Sequence, residues 1–199
     1  IEADEIVSHD TKHAVLNVAD NRGVASIVME HEPLRLRSRL FGDPIDWVVR
    51  HARCDVLLVD NLGYDRPEQI ALSGDGGPYS PSAVNIAEAI ATANEGDISL
   101  WYPADRNKTE KQRQATDDYR IALSEMLSVS VRTASPRADG GRPSNPDVVV
   151  RRGSVERFRT IFSDNTLIFP RPRCTTITVY AHDLNQSSVL RWLCERLTF

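Results

Sequence analysis

Cysteine is scarce. The three in 199 residues, Cys54, Cys174 and Cys194, are far apart and odd in number, so they make no disulfide framework. A reducing, cytoplasmic compartment fits that usage. Long hydrophobic runs are missing too. No uninterrupted apolar stretch exceeds five residues, against the roughly 20 a membrane-spanning helix needs. The chain opens on Ile1 with neither a Met nor a basic-plus-apolar leader, so no signal peptide is visible and the start reads as that of a fragment. Positive charge is not in excess: the net charge is −4 and the pI about 5.7, which gives no electrostatic footprint for nucleic acid. The sequence also holds no Walker loop, no G-x-S-x-G, no G-x-G-x-x-G and no C-x-x-C. P-loop phosphate chemistry, the hydrolase nucleophile elbow, the dinucleotide turn and dithiol redox chemistry therefore have no local sequence support.

What is present is the composition of a soluble globular protein, 41% apolar and 26% charged, with length for one large or two small domains. Apolar positions at helical spacing alternate with short apolar runs. Helices are expected over residues 10–21, 43–52, 81–95, 109–126, 154–162 and 189–197. Strands are expected over 1–7, 24–29, 54–60, 69–75, 97–102, 129–134, 148–150, 166–169 and 175–181. The helix at 43–52 would bury Ile45, Val48, Val49 and Ala52, with Asp43-Pro44 as cap and first helical residue. The one at 10–21 would turn Ala14, Val15, Val18 and Ala19 inward, and the one at 109–126 Tyr119, Ala122, Leu123 and Met126. Continuously apolar strands such as Val24–Met29 and Cys54–Asp60 suit parallel sheets covered on both faces. Alternating strands and helices predict an α/β fold, open and mostly parallel, with right-handed crossovers. Ligands of such sheets bind beyond the carboxyl ends of the strands, where strand order switches. Residues 135–146, rich in Pro, Gly and Ser, read as a loop.

One α/β stretch finishes near residue 60 and another begins near 67, so the chain reads as a tandem: 1–60 the back half of a first unit, 67–199 a second, divergent one. The turn Asp75-Gly76-Gly77-Pro78-Tyr79-Ser80, between a strand and a helix, is the best placed to face a ligand, although Asp-Gly-Gly-Pro is also sound turn chemistry without one. Other clusters are weaker. Glu30-His31-Glu32 are adjacent and point apart, as in a solvated loop, so no metal site is expected. His51 and Cys54 read as a helix-terminal His and a buried thiol. His182-Asp183 follow a strand and are the only acid–base candidates, without a nucleophile nearby. The arginines at 35, 37 and 39, and at 151, 152, 157 and 159, read as solvated faces, with an acidic partner as the sharper alternative.

The stretches Ile27-Val28-Met29, Arg39-Leu40-Phe41-Gly42-Asp43 and Val48 to Val59 resemble the back half of the universal stress protein domain. There an apolar strand ends V-M-G, a glycine-rich loop follows, and G-S opens a helix before the closing strand. Ser73-Gly74-Asp75-Gly76-Gly77-Pro78-Tyr79-Ser80 resembles the V-D-G-S-P-x-S that ends the family's first strand, with Gly77 where Ser is usual. The resemblance extends to about residue 134 and implies a strand order 3-2-1-4-5 in each of two sheets.

It also implies where a nucleotide would sit. Nucleotide-binding members hold ATP with G-x2-G-x9-G-S/T, whose glycines bring backbone N–H groups to the phosphates at a helix N-terminus. In this chain the leading glycines fall on Glu30 and Pro33, and Gly42-Asp43 stands one residue early with Asp for Ser. Two carboxylates and a residue without an N–H would face phosphate. Asp75 stands where the family's adenine-contacting Asp does, but the loop after Tyr180, Ala181 to Gln186, has no glycine. Cofactor-binding candidates are thus Asp75, Gly76, Gly77, Gly42 and Asp43, in a decayed adenine-nucleotide site. No catalytic residue, metal, cofactor or nucleic-acid partner is expected.

By resemblance the chain is a regulatory module of the kind found as cytoplasmic tails of amino-acid permeases and cation–chloride cotransporters. It would be a homodimer, tethered through a transmembrane domain of the same polypeptide. The alternative is a free cytoplasmic stress protein binding an adenine nucleotide at Asp75. A hydrolytic enzyme using His182 and Asp183 is the remotest reading.

Overall fold

The computed structural model describes residues 7–30, 44–63, 66–73, 80–101, 109–134, 146–153 and 174–182. Their elements are α1 (Thr11–Arg22), β1 (Ser26–Glu30), α2 (Pro44–His51), β2 (Asp55–Asp60), β3 (Gln69–Ser73), α3 (Pro81–Asn94), β4 (Asp97–Trp101), α4 (Glu110–Met126), β5 (Val131–Ala134), β6 (Val148–Arg152) and β7 (Thr175–Tyr180). Except for Val7 and Pro146, the strands and helices expected at 1–7, 154–162, 166–169 and 189–197 and the loop at 135–146 lie outside the described residues.

Among the described residues, seven strands form one sheet in the order β1-β2-β7-β6-β3-β4-β5. Two separate sheets were expected, and the difference comes from one long-range strand pairing. β2 and β7 pair antiparallel, Leu58 opposite Thr178, and so join what would otherwise be two edges. All other neighbours are parallel. Within the larger group the order β5-β4-β3-β6-β7 is the 3-2-1-4-5 that the resemblance implied.

Register relates the two sides of the β2–β7 seam. A twofold through the Leu58–Thr178 pair exchanges Asp55 with Thr175. Ser26 lies beside Asp55 in the sheet, and Val148 beside Thr175. β1 is therefore the counterpart of β6, and Val28 of Val150.

The core has two parts. One face of β3, β4, β6 and β7 presents Ile70, Leu72, Ile98, Leu100, Val148, Val150 and Val179, and α3 lies on it. The helix contributes Ala83, Ala87 and Ala91, a stripe at i, i+4, i+8 whose small side chains let its backbone settle close to the sheet. The second part joins Ile27, Val56, Leu58 and Tyr180 to α1 and α2. Val48 and Val49 of α2 and Ala52 just after it are buried there as expected, with Ile45 packed at the margin. α1 turns Val15, Leu16 and Ala19 inward, so Leu16 replaces the expected Ala14 and Val18 in the contact. On α4 the apolar stripe is shifted: Leu123 and the following Leu127 touch the core, while Ala122 and Met126 are exposed. A helix meeting the sheet along one ridge buries a single i, i+4 row, and the apolar face at 119–126 is wider than that row.

Helix ends follow local chemistry. Asp10 accepts the His13 N–H at 3.3 Å, and Gly23 closes α1 in the left-handed region at φ 58°. Pro81 occupies the first turn of α3 after Ser80. The left-handed cap of α3 is Glu95 (φ 55°), not the glycine that follows it. Gly96 is needed for another reason: a Cβ there would lie 2.6 Å from the Glu68 carbonyl oxygen, where the chain enters β4.

Candidate functional site

Asp75, Gly76, Gly77, Gly42 and Asp43 all lie outside the described residues, so the site is built from the strands and helices that flank them. Asp75 to Gly77 follow β3 and precede α3. At the carboxyl end of β3, Ser73 is buried, paired in register with Arg151 of β6 on one side and Trp101 of β4 on the other. This is the point where the chain leaves β3 for β4 on one side and later returns as β6 on the other, the switch in strand order at which open α/β sheets bind ligands.

Gly42 and Asp43 precede α2, in the connection from β1. Because β1 runs antiparallel to β7, and β7 runs parallel to β6 and β3, the carboxyl ends of β1 and β3 point to opposite ends of the sheet. The strands that lead to the two candidate groups thus serve opposite rims.

The sequence pattern places the phosphate-loop counterpart of the second half after Tyr180. The register corrects this. β6 is the counterpart of β1, so the equivalent connection follows Arg152 and begins at Gly153, with Ser154 next in sequence. Gly153 is buried and donates its N–H to the Val179 carbonyl at 2.8 Å. A Cβ there would meet the Tyr180 ring at 2.4 Å, so the close approach admits only glycine without rearrangement. The signal was present as Arg151-Arg152-Gly153-Ser154.

Around Gly153 the electrostatics are mixed. Arg151 Nε donates to Thr178 Oγ1 at 3.0 Å, which ties the guanidinium down along the sheet. Burial pushes the Tyr180 phenol far above its ordinary range, opposed in part by the Arg151 charge. Tyr180 is therefore a neutral packing residue.

His182 follows β7. Its backbone N–H donates to Asp55 Oδ1 at 2.8 Å across the seam, and its buried Nδ1 has no hydrogen-bond partner. Asp183 lies outside the described residues. Cys54 and Cys174 are free thiols, both held in the neutral form mainly by burial. Among the described residues no group of three or more His, Cys, Asp or Glu is arranged to hold a metal ion, and no helix is long and apolar enough to cross a membrane.

Residues 2–60 match the model of the Universal stress protein family. A comparison with curated proteins gives no match. Among solved structures, the chain is similar to a universal stress protein from Archaeoglobus fulgidus DSM 4304 at 14% identity and TM-score 0.50, covering 84% of this chain and 64% of that one. It is similar to the cytoplasmic domain of a prokaryotic cation chloride cotransporter at 15% identity and TM-score 0.51, covering 84% and 67%. A functionally unknown protein from Pseudomonas aeruginosa PAO1 aligns at 14% identity and TM-score 0.53, covering 98% and 74%. The chain thus spans less than two thirds of the length of the Archaeoglobus protein. The likeness to universal stress proteins read from the sequence holds in the family comparison and in the fold.

Proposed function

We propose that this chain is a non-catalytic, ligand-sensing regulatory module and that it serves as the cytoplasmic domain of a membrane transporter. Its two parts, 1–60 and 67–199, are the back half of a first unit and a second, divergent unit of one repeated design. The observation that carries the reading is the shared fold with the cytoplasmic domain of a cation chloride cotransporter over most of this chain. The sequence of the first phosphate-side connection supports it: Glu30, Pro33 and Asp43 offer charge of the wrong sign and one missing N–H donor to a triphosphate. The module acts as a homodimer and is tethered by a transmembrane domain of the same polypeptide. No reaction is assigned to it, and His182 serves the seam through its backbone bond to Asp55.

A second reading rests on the rim at β3 and β6. Asp75 follows β3, Gly153 follows β6, and the two strands are neighbours with their carboxyl ends on the same side. A free stress protein would hold an adenine nucleotide there. Calorimetric titration with ATP, ADP and AMP separates the readings. Micromolar binding that disappears in Asp75→Ala favours the nucleotide protein. The transporter module is expected to give no heat with any of the three, and its reading frame ahead of Ile1 is expected to encode membrane spans.

A further inference from the structure

Arg151 and Arg152 read from the sequence as a solvated face, yet β6 sends them to opposite sides of the sheet. Residues paired in register on neighbouring strands share a face. Arg152 pairs with Val179 of the larger core, and Arg151 pairs with Thr178 on one side and Ser73 on the other. Ser73, Arg151 and Thr178 therefore form a polar row across the face opposite α3, near the carboxyl ends of β3 and β6. The switch in strand order falls between Ser73 and Arg151.

Ser73 is buried, and Arg151 and Thr178 are partly buried. The guanidinium is held in place by its Nε bond to Thr178 Oγ1 at 3.0 Å, and among the described residues neither Nη has an acceptor. None of the ion pairs among those residues includes Arg151. The Tyr180 phenol feels the Arg151 charge but is kept neutral by burial, so it supplies no negative charge. Asp46, whose charge also reaches Tyr180, is taken up by Arg50 at 2.9 Å. A lysine or histidine in such a place can shed its proton; an arginine cannot. A cation drawn partly out of water with no anion beside it costs stability.

We propose that Arg151 is the anion-binding residue of the rim between β3 and β6, and that it takes a small carboxylate. The position is the switch point at which open α/β sheets bind ligands, and the ligand brings the missing negative charge. A planar guanidinium meets a carboxylate with two parallel N–H···O bonds, and one positive charge balances one negative charge. A phosphate group brings about 1.5–2 negative charges, and Arg152, the next cation in the chain, lies on the opposite face. The proposal deepens the ligand-sensing reading, and rests on it, by naming the class of ligand sensed.

Acetate is the probe, titrated into the 199-residue chain against chloride at equal ionic strength. It is expected to bind at about the millimolar level and to shift the Arg151 Nε–H resonance. At ten times its dissociation constant it should raise the melting temperature by about 3–6 °C. Phosphate is expected to do less. Arg151→Met is expected to remove both responses while the unliganded chain melts at the same temperature or higher, because an uncompensated charge has gone. An Arg151 resonance that does not respond overturns the proposal, as does an acetate-induced rise that survives in Arg151→Met. A lower melting temperature of unliganded Arg151→Met makes the guanidinium a structural strut and overturns it too. A larger effect of phosphate than of acetate overturns the carboxylate assignment. The transporter reading fails separately, on a reading frame that encodes no membrane spans.

Discussion

The two sides of the β2–β7 seam share a strand pairing but not a surrounding. On one side β6 and β7 are flanked by three more strands and roofed by an alanine-striped helix. On the other, α1 and α2 back one face of β1 and β2, while on the opposite face Leu57 of β2 joins the larger core and Val28 of β1 is exposed. The same valine position is core in one and surface in the other. Burial here is a property of neighbours, not of the strand's own sequence: Val24 to Met29 reads as apolar as Val148 to Val150. Fully burying a valine contributes roughly 1.5–3 kcal/mol relative to leaving it exposed, so the difference between the two sites is of the order of a tenth or more of a domain's net stability.

That contrast gives the largest expected effect. Val150→Asp places a carboxylate among Leu72, Ala87 and Val148 with no partner in view, and is expected to leave the chain unfolded in a thermal scan. Val28→Asp in the same chain is expected to stay within about 0.5 kcal/mol of the parent by urea titration, as exposed positions do. Similar losses at both sites would show that the β1 face is covered after all.

Gly153 comes next. Its substitution by alanine drives a methyl into the Tyr180 ring, which is packed in the core shared by β2, α1 and α2. Overpacking of this kind costs about 1–3 kcal/mol, and Gly153→Ala is expected to fall in that range by denaturant titration. In Gly153→Ala/Tyr180→Leu the clash is gone, so most of the loss attributable to the alanine should disappear from the double-mutant cycle. If it remains, the glycine is needed for its backbone and not for its closeness to the ring.

Asp147 provides a smaller test, on the better-supported side alone. One of its carboxylate oxygens accepts the N–H groups of Glu68 and Gln69, both at 2.9 Å, where β3 begins beside β6. Asp147→Ala leaves two strand-start amides to water and is expected to cost about 1–2 kcal/mol. Hydrogen exchange should quicken at the start of β3 while β1 and β2 stay as they were, since no bond from Asp147 crosses the seam. Quickening on both sides would mean that the seam couples the halves more tightly than its pairing suggests.

Much of this architecture was legible beforehand, because it rests on local rules. The α2 face of Val48, Val49 and Ala52, the apolar runs of β2, β3 and β6, and the order of the five larger-group strands follow from periodicity and from the resemblance. What could not be read was whatever depends on partners far away in sequence. The merging of two sheets into one is decided by residues 56–60 meeting 176–180. The role of Gly96 depends on Glu68, and that of Gly153 on Tyr180. The shift of the α4 stripe to Leu123 and Leu127 depends on which ridge reaches the sheet. As for the candidate site, the turn after β3 lies outside the described residues, and the counterpart of the β1–α2 connection needed the register.

The smallest expected effect separates the halves by pH. Asp10, at the start of α1, has its carboxyl held below the ordinary 3.8, first by its hydrogen bond to the His13 side chain and also by the His13 backbone N–H. Glu88, on α3, is held below 4.5 by the hydroxyl and N–H of Ser128. In both cases the folded form binds its proton less readily than the unfolded one, so the contribution is complete above the ordinary carboxylate value. It is lost as pH falls through the lowered one. Asp10→Asn should therefore flatten the acid limb of α1 unfolding below about pH 4, and Glu88→Gln that of α3 below about pH 4.5, each followed by exchange at its own helix. Both groups are exposed and solvent screens them, so the changes should be slight. Their value lies in being separate: if Asp10→Asn alters acid exchange in α3 as well, the smaller side cannot be treated as a local attachment and the seam must transmit its loosening.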